Sequence, residues 1–165
     1  MGIVETFGHA MIQAFLDDSE LQYLRDRDGD FVVEFGYDED VLGHPRFMLV
    51  ASGDEHEQYC LRGDTMKRVA RTDWDRMIRL CNEWNALYKL PKVYLEVDDL
   101  NASTSGRVIC EQWTSFEAGA HQELINQMTS TFFSACFGFW RWLERQDAMH
   151  ALGDDAEPDA LPDEG

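Results

Sequence analysis

Apolar residues recur at intervals of three and four in three separate stretches of the chain. The stretches are residues 4–17, 72–88 and 118–146, and this spacing places apolar side chains on one face of an α-helix. The second stretch ends before Pro91, which cannot continue a helix. The third has the widest apolar face, which indicates a helix that covers a sheet or a second subunit. Three amphipathic helices are therefore predicted.

Shorter runs of a different kind lie between the predicted helices. They are rich in β-branched and aromatic residues and are separated by turn residues, which is typical of strands. Four lie between the first two helices and two between the second and the third: 21–24, 31–37, 46–52, 58–63, 92–98 and 107–116. The gaps within each group are shorter than the about a dozen residues of a parallel crossover, so the strands are predicted to be antiparallel.

The predicted order of elements is α-ββββ-α-ββ-α, and the predicted fold class is α+β. With 165 residues, of which 44% are hydrophobic, the chain suits one domain with a substantial core. Residues 147–165 differ in composition, because they hold seven acids, two prolines and no Lys or Arg. We therefore expect one domain over residues 1–146, followed by an acidic, disordered tail.

The net charge of −18 limits the classes of partner. Residues 1–60 carry 14 acids against three Arg, whereas residues 61–146 carry 11 residues of each sign. Nucleic acids are bound mainly through Lys and Arg, so DNA or RNA is not expected as a partner. No stretch approaches the about 20 apolar residues of a membrane helix. The four cysteines form no C-x-x-C pair, which is typical of reduced thiols in a cytoplasmic protein.

The string LRDRDGDFVVEF resembles a calcium loop, because Asp26, Asp28 and Asp30 occupy alternate positions. An EF-hand loop needs Gly at its sixth position and a bidentate Glu at its twelfth. Starting the loop at Asp26 puts Phe31 at the sixth position, and aligning Gly29 there removes two ligands. A dipeptide of Asp28 and Gly29 between apolar runs predicts instead a β-hairpin with a type I′ turn.

No other motif predicts a catalytic, metal or cofactor site. The HQE triplet at 121–123 lacks the P-C-x-x-C partner of a zinc deaminase and suits the start of the last helix. No two of the five His have the i, i+4 spacing of a helical metal site. We therefore expect a protein that is not an enzyme and uses neither cofactor nor metal. Asp98, Asp99, Asn82 and Asn85 form the one polar cluster that an enzyme could use.

The residues NEWN stand near the end of the second predicted helix. Asn82 and Asn85 lie on one helical face and flank Trp84, although Asn competes for backbone hydrogen bonds and is a mediocre helix former. We predict that Asn82, Trp84 and Asn85 form a structural polar motif whose amides tie the helix end to a neighbouring loop or strand. A polar recognition spot is the alternative.

Three parts of the sequence together resemble the YbjN family of bacterial proteins, which are described as putative sensory transduction regulators. They are DGDFVVEF (28–35), NEWN with PKVYLEVDD (82–99) and TFFSACFGFWRWL (131–143). The resemblance covers nearly all of residues 5–146. It implies a fold similar to that of type III secretion chaperones, with helices on a strongly twisted antiparallel sheet, often in a dimer. It supplies no catalytic residues, and a shared fold does not imply a shared binding role.

The last helix carries the functional interpretation, because it holds more large aromatic side chains than one sheet face needs. Large exposed apolar patches mark interfaces. We expect a non-enzymatic, cytoplasmic regulatory or chaperone-like module that binds a protein partner, with a homodimer as the expected assembly. The predicted contact residues are Phe133, Phe137, Trp140 and Trp142. The alternative is a small-molecule sensor with a ligand pocket between the sheet and the C-terminal helix.

Overall fold

The computed structural model describes the backbone of residues 2–154 and the side chains of residues 2–147. Within these residues the chain forms three α-helices and seven strands in the order α-βββββ-α-ββ-α. The helices are α1 (His9–Asp18), α2 (Trp74–Leu87) and α3 (Gln122–Asp154). The strands are β1 (Leu24–Arg25), β2 (Phe31–Glu34), β3 (Arg46–Ser52), β4 (Gln58–Asp64), β5 (Val69–Ala70), β6 (Lys92–Glu96) and β7 (Ser105–Ser115).

All seven strands belong to one antiparallel sheet. Strands β1 to β4 are neighbours in chain order, and β4 pairs with the long strand β7. On its other side β7 pairs with β6, and its first residues pair with β5. The strands β1 and β6 are therefore the outer strands on the two sides of the sheet, and both are short. This architecture confirms the predicted α+β class, with helices on an antiparallel sheet.

The predicted elements differ from the observed ones mainly at their ends. The strand β3 has the predicted bounds, whereas α1 begins at His9 and not at residue 4. The residues before α1 are held in an extended bridge, in which Glu5 and Ala120 exchange two backbone hydrogen bonds of 2.9 Å. The strand β5 was not predicted, because two residues are too few to show a period.

The C-terminal helix is longer than predicted. Helix α3 begins at Gln122 and continues to Asp154, eight residues beyond the predicted domain end at 146. The first part of the predicted disordered tail is therefore helical. The rest of that predicted tail, residues 155–165, lies outside the described residues.

The turn between β1 and β2 is present as predicted, but the predicted type I′ geometry is wrong. Gly29 has a φ of +90°, whereas Asp28 has no positive φ. The Asp26 N–H donates to the Asp30 carbonyl, and the Gly29 N–H donates to the Asp26 carbonyl, as in a three-residue loop with a G1 bulge. The Asp26 carboxylate accepts from the N–H groups of Asp28 and Asp30, and the Asp30 carboxylate accepts from the Ala51 N–H. Two of the three alternating carboxylates therefore bind backbone.

The hydrophobic core lies between the three helices and one face of the sheet. Successive side chains of a strand point to opposite faces, so one alternate set enters the core. The strand residues of the core are Phe31, Val33, Phe47, Leu49, Ala51, Tyr59, Leu61, Val93 and Cys110. The other alternate set lies outside the core, and we call the surface that it forms the open face. No helix of the described chain covers this face.

Candidate functional site

The open face has an apolar half and an ionic half. The apolar half consists of Leu24, Val32, Met48 and Val50 on β1 to β3, together with Trp113 on β7. Cross-strand pairing brings these residues together, since Leu24 faces Val32 and Val32 faces Met48. Trp113 is 53% exposed and Leu24 is 68% exposed, whereas Val32, Met48 and Val50 are half-buried. Large apolar side chains are therefore in contact with solvent on this face of the sheet.

The ionic half consists of Arg62, Lys92, Glu96, Arg107 and Glu111 on β4, β6 and β7. The Glu96 carboxylate accepts a bond of 2.6 Å from Arg62 and one of 3.0 Å from Arg107. The Glu111 carboxylate accepts a bond of 2.5 Å from the Lys92 ammonium and lies 3.6 Å from Arg62 Nε. Each acid thus bridges bases on different strands, and the network ties together the three strands that carry it.

Glu111 is the most enclosed acid of this network. Its other oxygen accepts a hydrogen bond of 2.8 Å from the Tyr94 hydroxyl. Burial opposes ionisation of Glu111, but the hydrogen bonds from Lys92 and Tyr94 outweigh that effect and lower the pKa of the carboxyl. Burial, followed by the bond to Glu111, raises the pKa of Tyr94. Both groups therefore hold their ordinary charge at neutral pH.

The edge of β6 is closed by the side chain of Asn85. Its amide nitrogen donates to the Val93 carbonyl at 2.8 Å, and the Val93 N–H donates to its amide oxygen at 3.0 Å. In an antiparallel strand the N–H and C=O of one residue point to the same side, which for Val93 is the side away from β7. The Asn85 amide therefore occupies the place of a neighbouring strand, and it joins α2 to β6.

The other residues of the NEWN motif have different surroundings. Trp84 is buried and stacks on Tyr88 at 4.0 Å between ring centroids. Asn82 is exposed, and its amide makes no hydrogen bond within the described residues. The tie between helix and strand therefore rests on Asn85.

The structure places the four predicted contact residues of α3 mostly inside the chain. Trp140 is 3% exposed and Trp142 is 9% exposed. Phe133 is half-buried and stacks on Phe47 at 3.9 Å between ring centroids, and Phe137 is half-buried against Phe47 and Trp140. The part these residues play in binding a partner stays a prediction, and Phe133 and Phe137 are the two with side-chain surface available for it.

A cavity of about 220 Å³ lies between β5, α2 and α3, and we call it the α2–α3 cavity. The apolar residues that line it include Val41, Met77, Val108, Trp140 and Leu143. Its charged rim includes Lys67, Arg68, Asp73, Arg76, Glu144 and Asp147. The cavity lies between the sheet and the C-terminal helix, where the alternative prediction places a ligand pocket.

The polar cluster considered for an enzyme is divided between two places. Asn85 binds Val93 at the start of β6, whereas Asp99 forms the turn after the end of β6. The Asp99 carboxylate accepts from the N–H groups of Asn101 and Ala102 at 2.8 and 3.2 Å. The amide and the carboxylate therefore bind different backbone segments and do not converge on one cleft.

The described part of the chain was also compared with the requirements of a metal site, a reactive thiol and a membrane span. Within it, no three His, Cys, Asp or Glu side chains are grouped as a metal site. Cys60, Cys81, Cys110 and Cys136 are all free and buried. Burial raises the pKa of the Cys60 and Cys81 thiols to about 12. Residues 2–154 include no helix that is both long and apolar enough to span a bilayer.

The fold and the open face define a class of protein: an α+β domain with all its helices on one face of an antiparallel sheet. Residues 9–145 match the sequence model of the YbjN family, described as "Putative bacterial sensory transduction regulator". That match covers most of the chain, and the protein belongs to the YbjN family. The resemblance drawn from the sequence is confirmed.

A solved structure supports the same fold. The crystal structure of YbjN from E. coli, described as "a putative transcription regulator", superposes with a TM-score of 0.68 at 10% sequence identity. The alignment covers 88% of this chain and 97% of that chain. No curated protein sequence matches this chain.

The sequence did not reveal the open face, and it did not identify the residues that line the α2–α3 cavity. The alternating pattern of β3 and β7 carries the signal for the open face, because apolar residues occupy both alternate sets. Met48 and Val50 alternate with Leu49, and Trp113 follows Ile109 and Glu111 on the same face. A strand with apolar residues in both alternate sets is expected to be buried on both faces of its sheet. Here one of those faces is open.

Proposed function

We propose that this protein is a non-enzymatic, cytoplasmic regulatory module that acts by binding protein, and that it does so through the open face. The family description as a sensory transduction regulator supports a regulatory role. The single observation that carries the proposal is the exposure of Trp113 and Leu24 on a sheet face that no described helix covers. Exposed apolar patches on regular surfaces mark sites of protein contact.

The occupant that we propose for the open face is a second copy of the chain. A protein with a net charge of −18 repels its own copies over most of its surface. The open face is an exception, because it carries four bases and four acids: Arg46, Arg62, Lys92, Arg107, Glu34, Asp64, Glu96 and Glu111. A two-fold interface places one patch against its own copy, so a patch with balanced charges suits it.

The dimensions of the open face agree with a dimer interface. Strands lie about 4.8 Å apart and rise about 3.3 Å per residue, so the face measures about 24 Å by about 23 Å. The product, about 550 Å², is about two thirds of the about 800 Å² that each partner buries in a standard interface, and side-chain relief adds to this planar area. Pairing through the edges is restricted, because β1 has two residues and Asn85 closes β6 at Val93. Contact through the face is therefore favoured over extension of the sheet.

The test compares two charge insertions by sedimentation velocity over a range from sub-micromolar to high micromolar concentrations. Trp113→Glu puts two like charges into the proposed interface, and we expect it to convert the dimer into a monomer. Ile78→Glu is the matched control, because Ile78 is 52% exposed on α2, away from the open face. We expect the control to dimerise like the native chain. A native chain that stays monomeric throughout, or a Trp113→Glu variant that still dimerises, contradicts the proposal.

The second candidate function is a small-molecule sensor, and the α2–α3 cavity supports it. The cavity combines an apolar wall with charged groups at its rim, which is the usual composition of a ligand site. Its volume of about 220 Å³ is below that of typical drug-sized sites, which begin at about 300 Å³. A ligand of this site is therefore small. The two functions are compatible, because the cavity and the open face lie on opposite sides of the sheet.

A further inference from the structure

The outer strand β1 covers only part of the edge of β2. Its pairing with β2 ends where Leu24 lies opposite Val32. The Phe35 N–H donates to the Pro45 carbonyl, so in this antiparallel ladder the N–H and C=O of Glu34 point the other way, toward the uncovered edge. Neither group has a hydrogen-bond partner within the described residues. A backbone donor and a backbone acceptor are therefore free at this edge.

A groove of about 480 Å³ lies beside the uncovered edge, and we call it the β2 groove. Val32 and Glu34 line one side, and the chain from Leu21 to Leu24 lines the other. Leu21 and Tyr23 are half-buried against the core, so they present apolar surface to the groove. An unpaired strand edge is a template for another strand, and a peptide that adds to it gains affinity from main-chain hydrogen bonds. The β2 groove combines such an edge with an apolar wall.

The uncovered edge is short. It begins at Glu34, the last residue of β2, and continues to Gly36, whose backbone also has no hydrogen-bond partner within residues 2–154. Space is open beside Gly36, where an added Cβ would meet no atom within 4 Å beyond the neighbouring residues. At Asp38 the chain pairs with Gly43. Three residues are fewer than the about five or six of a usual strand, so this edge suits a short peptide segment.

The charges beside the uncovered edge favour a basic occupant. Residues 34–43 hold four acids and no Lys or Arg, namely Glu34, Asp38, Glu39 and Asp40. The two bases on the neighbouring strands are already engaged, because Arg25 donates to a backbone carbonyl and Arg46 is paired with Asp64. Among the described residues that line the β2 groove, Glu34 is the one that carries a charge. A second copy would bring two acidic edges together, which like charges oppose, whereas Lys or Arg side chains complement them.

We infer that the uncovered edge of β2 binds an extended, basic segment of another protein as an added strand. The peptide residue opposite Glu34 exchanges two backbone hydrogen bonds with it, and its side chain lies beside the Glu34 carboxylate, where Lys or Arg is favoured. The side chains on either side of that residue point to the other face, toward Leu21 and Phe35, where apolar groups are favoured. The recognised segment therefore alternates basic and apolar residues. This inference goes beyond the dimer, because it concerns the edge of the sheet and a different partner.

The experiment uses the peptide acetyl-Leu-Lys-Val-Lys-Leu-amide in isothermal titration of the full chain. One peptide is expected to bind per chain. The same peptide with both Lys replaced by Glu is expected to bind at least about tenfold more weakly, because it meets Glu34 with a like charge.

N-methylated peptides test whether the segment binds as a strand. Methylation at both Lys removes the N–H groups that face β2, and it is expected to weaken binding by about tenfold or more. Methylation at the central Val is the matched control, because the N–H of that residue points away from β2. It is expected to change the affinity by less than about threefold.

Variants of the chain locate the site. Glu34→Pro removes the free N–H and the carboxylate, and it leaves the pairing with β3 intact because Pro is tolerated on an edge. It is expected to weaken binding of the lysine peptide by about tenfold or more. Glu34→Gln removes only the charge and is expected to weaken binding by about two- to fivefold. Glu39→Gln is the control, since Glu39 is exposed and does not line the groove, and a change of less than about twofold is expected. Urea unfolding of each variant checks that the fold is retained.

The outcomes distinguish the class of partner from the mode and place of binding. Equal binding of the lysine and glutamate peptides overturns the basic class. Equal effects of methylation at Lys and at Val overturn the added strand, and a Glu34→Pro chain that binds like the native chain overturns the site. No binding of the lysine peptide at millimolar concentration overturns the whole inference and leaves the proposed dimer unaffected.

Discussion

A buried hydrogen-bonded pair joins α3 to the centre of the sheet, and its removal gives a quantitative test of the fold. The Thr129 hydroxyl donates to the Ile125 carbonyl at 2.7 Å, so its one hydrogen is committed to the helix backbone. The Tyr59 hydroxyl, 2.8 Å from the Thr129 oxygen, must then be the donor to it. Both residues are at most 1% exposed. The perturbation is Thr129→Val, which keeps the shape of the side chain and removes the acceptor.

The expected loss of stability depends on whether a variant leaves a buried hydroxyl without a hydrogen-bond partner. In Thr129→Val the Tyr59 hydroxyl is buried without an acceptor, and such an orphaned group costs about 1–3 kcal/mol. In Tyr59→Phe no orphan remains, because Thr129 still donates to Ile125, and the loss is about 0.5–1.5 kcal/mol. The double variant removes both hydroxyls, so it is expected to be less destabilised than the sum of the single variants by at least about 0.5 kcal/mol.

Urea unfolding, followed by circular dichroism, measures all four chains of this cycle. The dependence of the unfolding free energy on urea concentration is expected to have the same slope in all four chains. The urea concentrations at the unfolding midpoints therefore report differences in stability directly. We expect Thr129→Val to be the least stable single variant. A Thr129→Val chain as stable as Tyr59→Phe, or strictly additive effects in the double variant, would refute the assigned direction of the bond.

Three further predictions concern single residues. Asn85→Ala is expected to destabilise the chain by about 1–2 kcal/mol in urea unfolding, because it removes two hydrogen bonds to Val93. Asn82→Ala is the control and is expected to change stability by less than about 0.5 kcal/mol. Equal effects of the two variants would contradict the role of Asn85 in closing the edge of β6. Gly29→Ala is expected to lower the free energy of unfolding by about 1 kcal/mol, because Gly29 has a φ of +90°. Gly138→Ala lies within α3 with open space around it, and it is expected to raise that free energy by about 0.5–1 kcal/mol. The opposite order of the urea midpoints would refute this. The lowered pKa of Glu111 gives stability that is present above the ordinary pKa of 4.5 and is lost as the pH falls through the lowered value. Glu111→Gln is therefore expected to reduce the acid dependence of the thermal unfolding temperature between pH 5 and 3. An unchanged pH profile would show that the ion-pair network of Glu111 is not the source of that dependence.

The helices and strands were predictable because their periods are strong. The strand β3 alternates buried and half-buried residues over its whole length, and α2 carries its buried residues Trp74, Met77, Cys81 and Trp84 at helical spacing. Local chemistry also identified the turn at Gly29. The type of that turn was not predictable, since it depends on Asp26 binding the backbone of the loop rather than on the Asp-Gly dipeptide.

The site was less predictable, because a period tells which residues share a face and not what lies against that face. The aromatic residues of α3 were interpreted as an interface, and in the folded chain α1, α2 and β3 enclose Trp140 and much of Phe133. Trp113 gave no such signal, because it is one of several apolar residues in a long strand. Arg76 lies far along the chain from Val108 and Trp140, so the cavity between them depends on tertiary packing.

The proposed dimer, in which two copies meet across the open face, is tested by the reactivity of a thiol introduced on that face. The four native cysteines are buried, so a thiol reagent reports a surface cysteine selectively. Ser115→Cys places a thiol on the open face beside Trp113. Leu100→Cys places one at a loop position where the native Leu100 is 71% exposed. We predict that modification at position 115 slows as protein concentration rises through the micromolar range, while modification at position 100 does not. Rates at both positions that are independent of concentration would contradict it.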